Sequence, residues 1–173
     1  ARMIEILPYS MKSSFVGALS GDKFTKEREA LAREMVHYYA KIAAAIACIP
    51  IPIADLALLA PLQIAMFLHV SRIFGHKYSK QQGASVIASL LGSIGARTAA
   101  QSIVSLFKGI PGLGSLLGSV AGGSMAYATF EAFGRVVVLY FQNEQRISPK
   151  EIRHFYRSQY EKAKKRYSGK EEK

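Results

Sequence analysis

The chain has one cysteine, Cys48, and no tryptophan in 173 residues. A single cysteine cannot close an intrachain disulfide, and inside an apolar helix it reads as a small buried hydrophobe in a reducing compartment. Acidic side chains are scarce in the middle of the chain, where Asp55 alone stands between Glu34 and Glu131. A Ser-His-Asp site would therefore have to use Asp55, and a helix cap explains that residue without a nucleophile. His37, His69, His76 and His154 lie far apart, with no cysteine or carboxylate at metal spacing. That excludes an evident metal centre, and His69, within an apolar helix, reads as a hydrogen-bonded core residue. No phosphate-binding loop is present: residues 17–23 (GALSGDK) and 109–115 (GIPGLGS) come nearest, and neither ends in Gly-Lys-Ser/Thr. The expectation is a protein with no catalytic residues, no cofactor and no metal.

What is abundant is apolar surface and positive charge. Half of the residues are hydrophobic and the formal net charge is +11. Residues 41–141 hold seven basic and two acidic side chains, while residues 144–173 hold ten and five. The length fits one domain with a sizeable core. We divide it into a junction with a short helix (1–24), an apolar helical domain (25–143) and a basic amphipathic helix with its tail (144–173). Opening at Ala1, with no initiator methionine or signal-peptide pattern, the chain reads as an excised piece of a longer protein.

The organising stretch is 42–75, interrupted by Ile49-Pro50-Ile51-Pro52-Ile53. Each proline fixes its own φ and pushes the preceding residue out of the helical region, so Pro50 and Pro52 predict an elbow between two helices. Asp55 is placed to cap the second. The first helix starts near Thr25, with Leu31, Met35, Tyr38, Ile42, Ala45 and Ile49 expected on its buried face. The second runs over 55–74, bent at Pro61, and ends at Gly75.

A third helix is predicted from Lys80 to Lys108, opened by a Ser79/Gln82 capping box. Small residues recur every fourth position at Ala88, Gly92, Ala96 and Ala100, and again at Gly114, Gly118, Gly122 and Ala126. Glycine inside a helix costs ~1 kcal/mol against alanine, so the two stripes predict a close-packed hairpin. Arg97, Glu131 and Arg135 are the other charges within this body, and we read each as facing water or another flank of the chain rather than forming an internal ionic cluster or gating pair. The last helix has Ser148 at the N-cap, Pro149 at N1, Glu151 at N3 and an Ile147/Ile152 staple. Ile152, Phe155, Tyr156, Tyr160, Ala163 and Tyr167 share one of its faces, and Lys150, Arg153, Arg157 and Lys164 share the neighbouring strip. Aromatic and basic residues are thus segregated, which favours a membrane surface or a protein partner over nucleic acid.

No stretch is a clean membrane span. Residues 109–130 carry no charge, but nine of them are Gly or Ser. Arg97 interrupts 81–107, and three prolines and Asp55 interrupt 42–75. Shallow or hairpin insertion and a tight bundle that only packs on itself both fit.

Taken together, I-P-I-P-I-A-D (Ile49 to Asp55), Leu59 with Leu62-Gln63 and Met66, Ile73 to Gly75, and K-G-I-P-G-L-G (Lys108 to Gly114) resemble the YcjF-type uncharacterised helical family. Ile6 to Pro8, Ser14-Phe15 and Lys26 to Arg28 look like the junction that leads into such a module from a G domain. The resemblance adds Gln63 to the elbow. It implies an all-helical module, often membrane-associated, that commonly follows the G domain of Era-like GTPases and brings no catalytic residues to carry over. The expected architecture is all-α: an elbow hairpin, a glycine-striped hairpin and a basic C-terminal helix. The expected role is a non-catalytic, membrane-associating effector module of a GTPase, on the cytoplasmic face of a membrane. Its expected partners are anionic lipid and an upstream G domain; a pore-forming homo-oligomer stands third, since it would need the Gly114, Gly118 and Gly122 stripe that the hairpin already uses. A soluble interaction module packing on a G domain or another protein is the alternative.

Overall fold

The computed structural model describes residues 25–48, 54–95 and 117–167, with side chains placed in all of these except 54–58 and 117–121. The junction 1–24, Pro50, Pro52, Arg97, Gly114 and the tail at 168–173 lie outside the described residues. Those described form five α-helices and no strand: α1 Thr25–Ala47, α2 Ala54–Ile73, α3 Lys80–Ile94, α4 Leu117–Gln142 and α5 Pro149–Tyr167. The all-α expectation holds.

Local signals set the helix ends. Ser79 accepts from the Gln82 amide at 3.2 Å, and the Gln82 side chain accepts from the Ser79 amide at 2.8 Å, which opens α3 with two otherwise orphaned donors satisfied. The Ser148/Glu151 pair opens α5 in the same way, at 3.3 and 3.0 Å. Gly75, at φ 82°, closes α2: its amide bonds Arg72 O at 3.0 Å and the His76 amide bonds Ser71 O at 2.9 Å. Gly95, at φ 104°, caps α3 after Ile94, and the remainder of the predicted third helix, 96–108, lies outside the described residues.

The core is organised around α4, which packs on α1, α5 and α2, while α3 lies on α2 and α5. Phe67, Phe133, Met66, Val36, Val136 and Val137 are fully buried within it. The face expected on α1 is corrected. Leu31 and Met35 are buried, but Tyr38 is 56% exposed and Ala45 is exposed, while Ala32, Val36, Ala40, Ala43 and Ala44 are covered. Contact with both α2 and α4 widens the buried stripe of α1 and selects its small residues, which let the backbones approach.

The small residues of α4 serve that same contact. A Cβ on Gly134 would lie 2.4 Å from Val36 Cγ1, and one on Gly123 would lie 2.8 Å from Cys48 Sγ. Gly122 is 3.5 Å, measured from its built Cβ, from the Ala47 carbonyl. The described part of the glycine stripe therefore faces α1, not the Ala88/Gly92 stripe of α3. Gly92 is exposed, with nothing within 4 Å of a Cβ placed there. Cys48 also departs from expectation, since it is exposed in the turn after α1.

Candidate functional site

At the centre of α4 is a carboxylate that an apolar helix has to accommodate. The Glu131 side chain is 3% exposed. Its Oε1 accepts from Arg135 Nε at 3.0 Å and Nη2 at 2.8 Å, one helical turn away. Arg166 of α5 brings Nη1 to 3.7 Å from the same oxygen. Oε2 lies 3.6 Å from His37 Nδ1 of α1 and has no hydrogen bond among the described residues. Glu131 thus does not face water: α1, α4 and α5 enclose it in an ionic cluster with Arg135, the C-terminal flank contributes Arg166, and a buried charge is tolerable when paired.

Two tyrosines extend the cluster. The Tyr127 hydroxyl and His37 Nδ1 share a hydrogen bond at 2.7 Å, with the rings edge to face at 5.7 Å. Burial raises the Tyr127 phenol above its ordinary pKa; the Glu131 charge adds to this, and hydrogen bonding to Arg166 opposes it. The Tyr167 ring packs at a tilt against Tyr127, with centroids 5.2 Å apart, so the end of α5 is tied to α4 beside the cluster. A second Tyr–His pair joins α1 to α2, with Tyr39 Oη 2.6 Å from His69 Nδ1. His69 is the hydrogen-bonded histidine expected within the apolar helix.

Beside the carboxylate opens a cleft of about 380 Å³ between α1, α4 and α5. Its walls include Arg33, Arg135, Lys162 and Arg166, with Glu131 as the one carboxylate lining it. Val138, Phe155 and Ala163 supply apolar surface, and Gln142 and Gln159 supply amides. Arg33 also pairs with Glu29, one turn back on α1.

The expected site residues fare unevenly. Lys150, Arg153, Arg157 and Lys164 are all exposed on α5, while Ile152, Tyr156 and Ala163 of the adjacent face are buried. The basic strip therefore points outward and the aromatic face is occupied by protein. Asp55 is the second residue of α2 and Gln63 is half-buried further along it. Gly118 lies in the first turn of α4, whose side chains there are not described. A Cβ on Gly122 would meet α1, while one on Gly92 would meet open space. The cluster around Glu131 was the residue group that the sequence reading misplaced, although a Glu–Arg pair at i,i+4 in an otherwise uncharged helix is its signal.

No group of three or more His, Cys, Asp or Glu capable of holding a metal ion occurs among the described residues. None of the described helices is long and apolar enough to cross a membrane. No solved structure matches the chain. The chain is similar to magnetosome membrane protein 22 of Magnetospirillum gryphiswaldense, at 36% identity over 141 residues, covering 79% of this chain and 72% of that protein. A family model described as a domain of unknown function, DUF697, matches residues 11–165. That match takes in all five helices from α1 to the greater part of α5, and by it the chain belongs to the DUF697 family.

Proposed function

We propose that this chain is a non-catalytic, membrane-associating helical module that rests on an anionic surface through α5. The observation that carries the reading is the outward strip Lys150, Arg153, Arg157 and Lys164, left exposed because the neighbouring aromatic face packs on the bundle. A net charge of +11 supports the same choice of partner. The membrane-protein name of the magnetosome relative also supports it. With no spanning helix among the described residues, attachment by charge is the mode these helices can supply. The motif order of the elbow and the K-G-I-P-G-L-G segment supports placing the module after a G domain of the Era-like type, on the cytoplasmic face of a membrane. Nucleotide state in that domain would then regulate how the strip is presented, and any GTP hydrolysis would belong to that domain.

The test is sedimentation with phosphatidylserine vesicles at low and high salt. Each basic residue near an anionic surface contributes about 1 kcal/mol. Neutralising Lys150, Arg153 and Arg157 should therefore weaken partitioning on the order of 100-fold, and charge reversal should abolish it, with the helical circular dichroism unchanged. Salt should release the native chain. A folded native chain that stays in the supernatant at low salt would reject the reading in favour of an adaptor that packs on a G domain or another protein.

A further inference from the structure

The cleft beside Glu131 has a different character from the α5 strip. Lys162 is about 200° around the helix from Lys164 at 100° per residue, so cleft and strip flank the buried face on opposite sides. Four cationic side chains from three helices line the cleft, against the lining carboxylate of Glu131 and that of Glu29, which pairs with Arg33 from one turn back. Glu131 engages two of the five N–H groups of Arg135, and the other three have no hydrogen bond among the described residues. Lys162 is exposed and has no ion pair among the described residues.

We propose that this cleft binds a small phosphorylated polyol carrying more than one phosphate group. Guanidinium forks match phosphate oxygens in geometry, and three arginines with one lysine converge here. The volume of about 380 Å³ falls in the range of small-molecule sites and exceeds what a lone inorganic anion fills. The amides of Gln142 and Gln159 can donate to or accept from ring hydroxyls, and the apolar wall of Val138 and Phe155 can take the ring face. A simple carboxylate would leave those amides without a role. The phosphate-polyol chemistry could arrive as a free solute or as a lipid headgroup.

Titration calorimetry of the full chain with inositol 1,4,5-trisphosphate at low salt tests the proposal, with inorganic phosphate as the comparison probe. The trisphosphate should bind at least tenfold more tightly than phosphate. Arg33→Gln with Lys162→Gln should weaken it at least tenfold, and both residues are exposed, so the fold should survive. Lys150→Gln, Arg153→Gln and Arg157→Gln together should leave it within twofold. Amide shifts on the native chain should map to α1, α4 and α5 around the cleft. No binding, equal affinity in the Arg33/Lys162 variant, or loss in the strip variant would each overturn the proposal. So would displacement of the trisphosphate by an equimolar acidic peptide, which would mark a protein-docking surface. Vesicles containing a phosphorylated inositol lipid, compared with phosphatidylserine vesicles, then distinguish the sources: added retention that depends on Arg33 and Lys162 identifies the headgroup, and its absence beside soluble binding identifies the free solute. The α5 strip is read separately by the phosphatidylserine arm, so either idea can fail without the other.

Discussion

Glu131 and Arg135 meet through a single oxygen: Arg135 Nε and Nη2 both donate to Glu131 Oε1, at 3.0 and 2.8 Å. Replacing Arg135 by methionine would keep an unbranched apolar stem, remove the guanidinium and strip the carboxylate of its principal partner. Removing one member of a buried pair costs ~3–5 kcal/mol; here we expect about 2–4, because Arg166 and partial solvent access offset some of the loss. The double change Glu131→Leu and Arg135→Met should recover most of it. Urea unfolding of the three chains measures both, and equal midpoints for native and Arg135→Met chains would show that the pair does not stabilise the fold.

Gly134 is where α4 comes closest to α1. A methyl group there would lie 2.4 and 2.7 Å from the two γ-carbons of Val36, which is fully buried and has no room to withdraw. Gly134→Ala gains up to ~1 kcal/mol of helix propensity but overpacks the contact, and overpacking costs ~1–3 kcal/mol or more. A net destabilisation is expected, relieved when Val36→Ala is added. Thermal denaturation of the single and double variants gives the coupling, and additive losses would refute the close contact.

What the sequence made legible was what its neighbours determine within a few residues. Both capping boxes depend on partners three positions apart, and the faces of α5 follow from spacing alone. The pairing of helices was not legible in the same way. Nothing within 117–142 says that Gly123 and Gly134 meet Cys48 and Val36, residues far away in the chain. The two glycine stripes looked like partners because they are adjacent in sequence, whereas α4 instead spends its small residues on α1. Tyr38 illustrates the same limit: its spacing matched one apolar stripe, but α1 has two neighbours and their combined footprint is centred elsewhere. Glu131 was misread because burial of a charge depends on Arg166 and His37, which other helices supply.

The end of α4 offers a stabilising change. Glu144 has φ 51° and Gln145 φ 67°, both in the left-handed region, and the Gln145 amide bonds Tyr140 O at 2.8 Å in the closing turn. A side chain in that conformation costs ~1–2 kcal/mol, which glycine avoids, while glycine loses ~0.4–1 kcal/mol through the entropy of the unfolded chain. Glu144→Gly should therefore stabilise the protein by roughly 0.5–1 kcal/mol. Glu144→Val should destabilise it, since a branched Cβ crowds the same backbone. Chemical denaturation of the pair checks the signs.

His69 gives the fold a pH dependence whose direction is fixed by its surroundings. Burial lowers the imidazole pKa below its ordinary value, and the charge of Arg72, one turn along α2, lowers it further. Because the folded chain resists protonation there, the unfolded chain takes up the proton first as pH falls below ~6.5. The stabilising contribution is complete above that pH and diminishes as pH falls through the depressed folded value. The groups facing the ring agree with this sign: the Tyr39 hydroxyl is its hydrogen-bond partner, and burial raises that phenol, with Tyr38 adding to the rise and Arg72 opposing it, so it stays neutral across the window. His69→Gln should retain a polar partner for Tyr39 without a titrating group. The unfolding midpoint of the native chain should therefore fall more steeply between pH 6.5 and 5 than that of the variant, and parallel curves would remove His69 from the account.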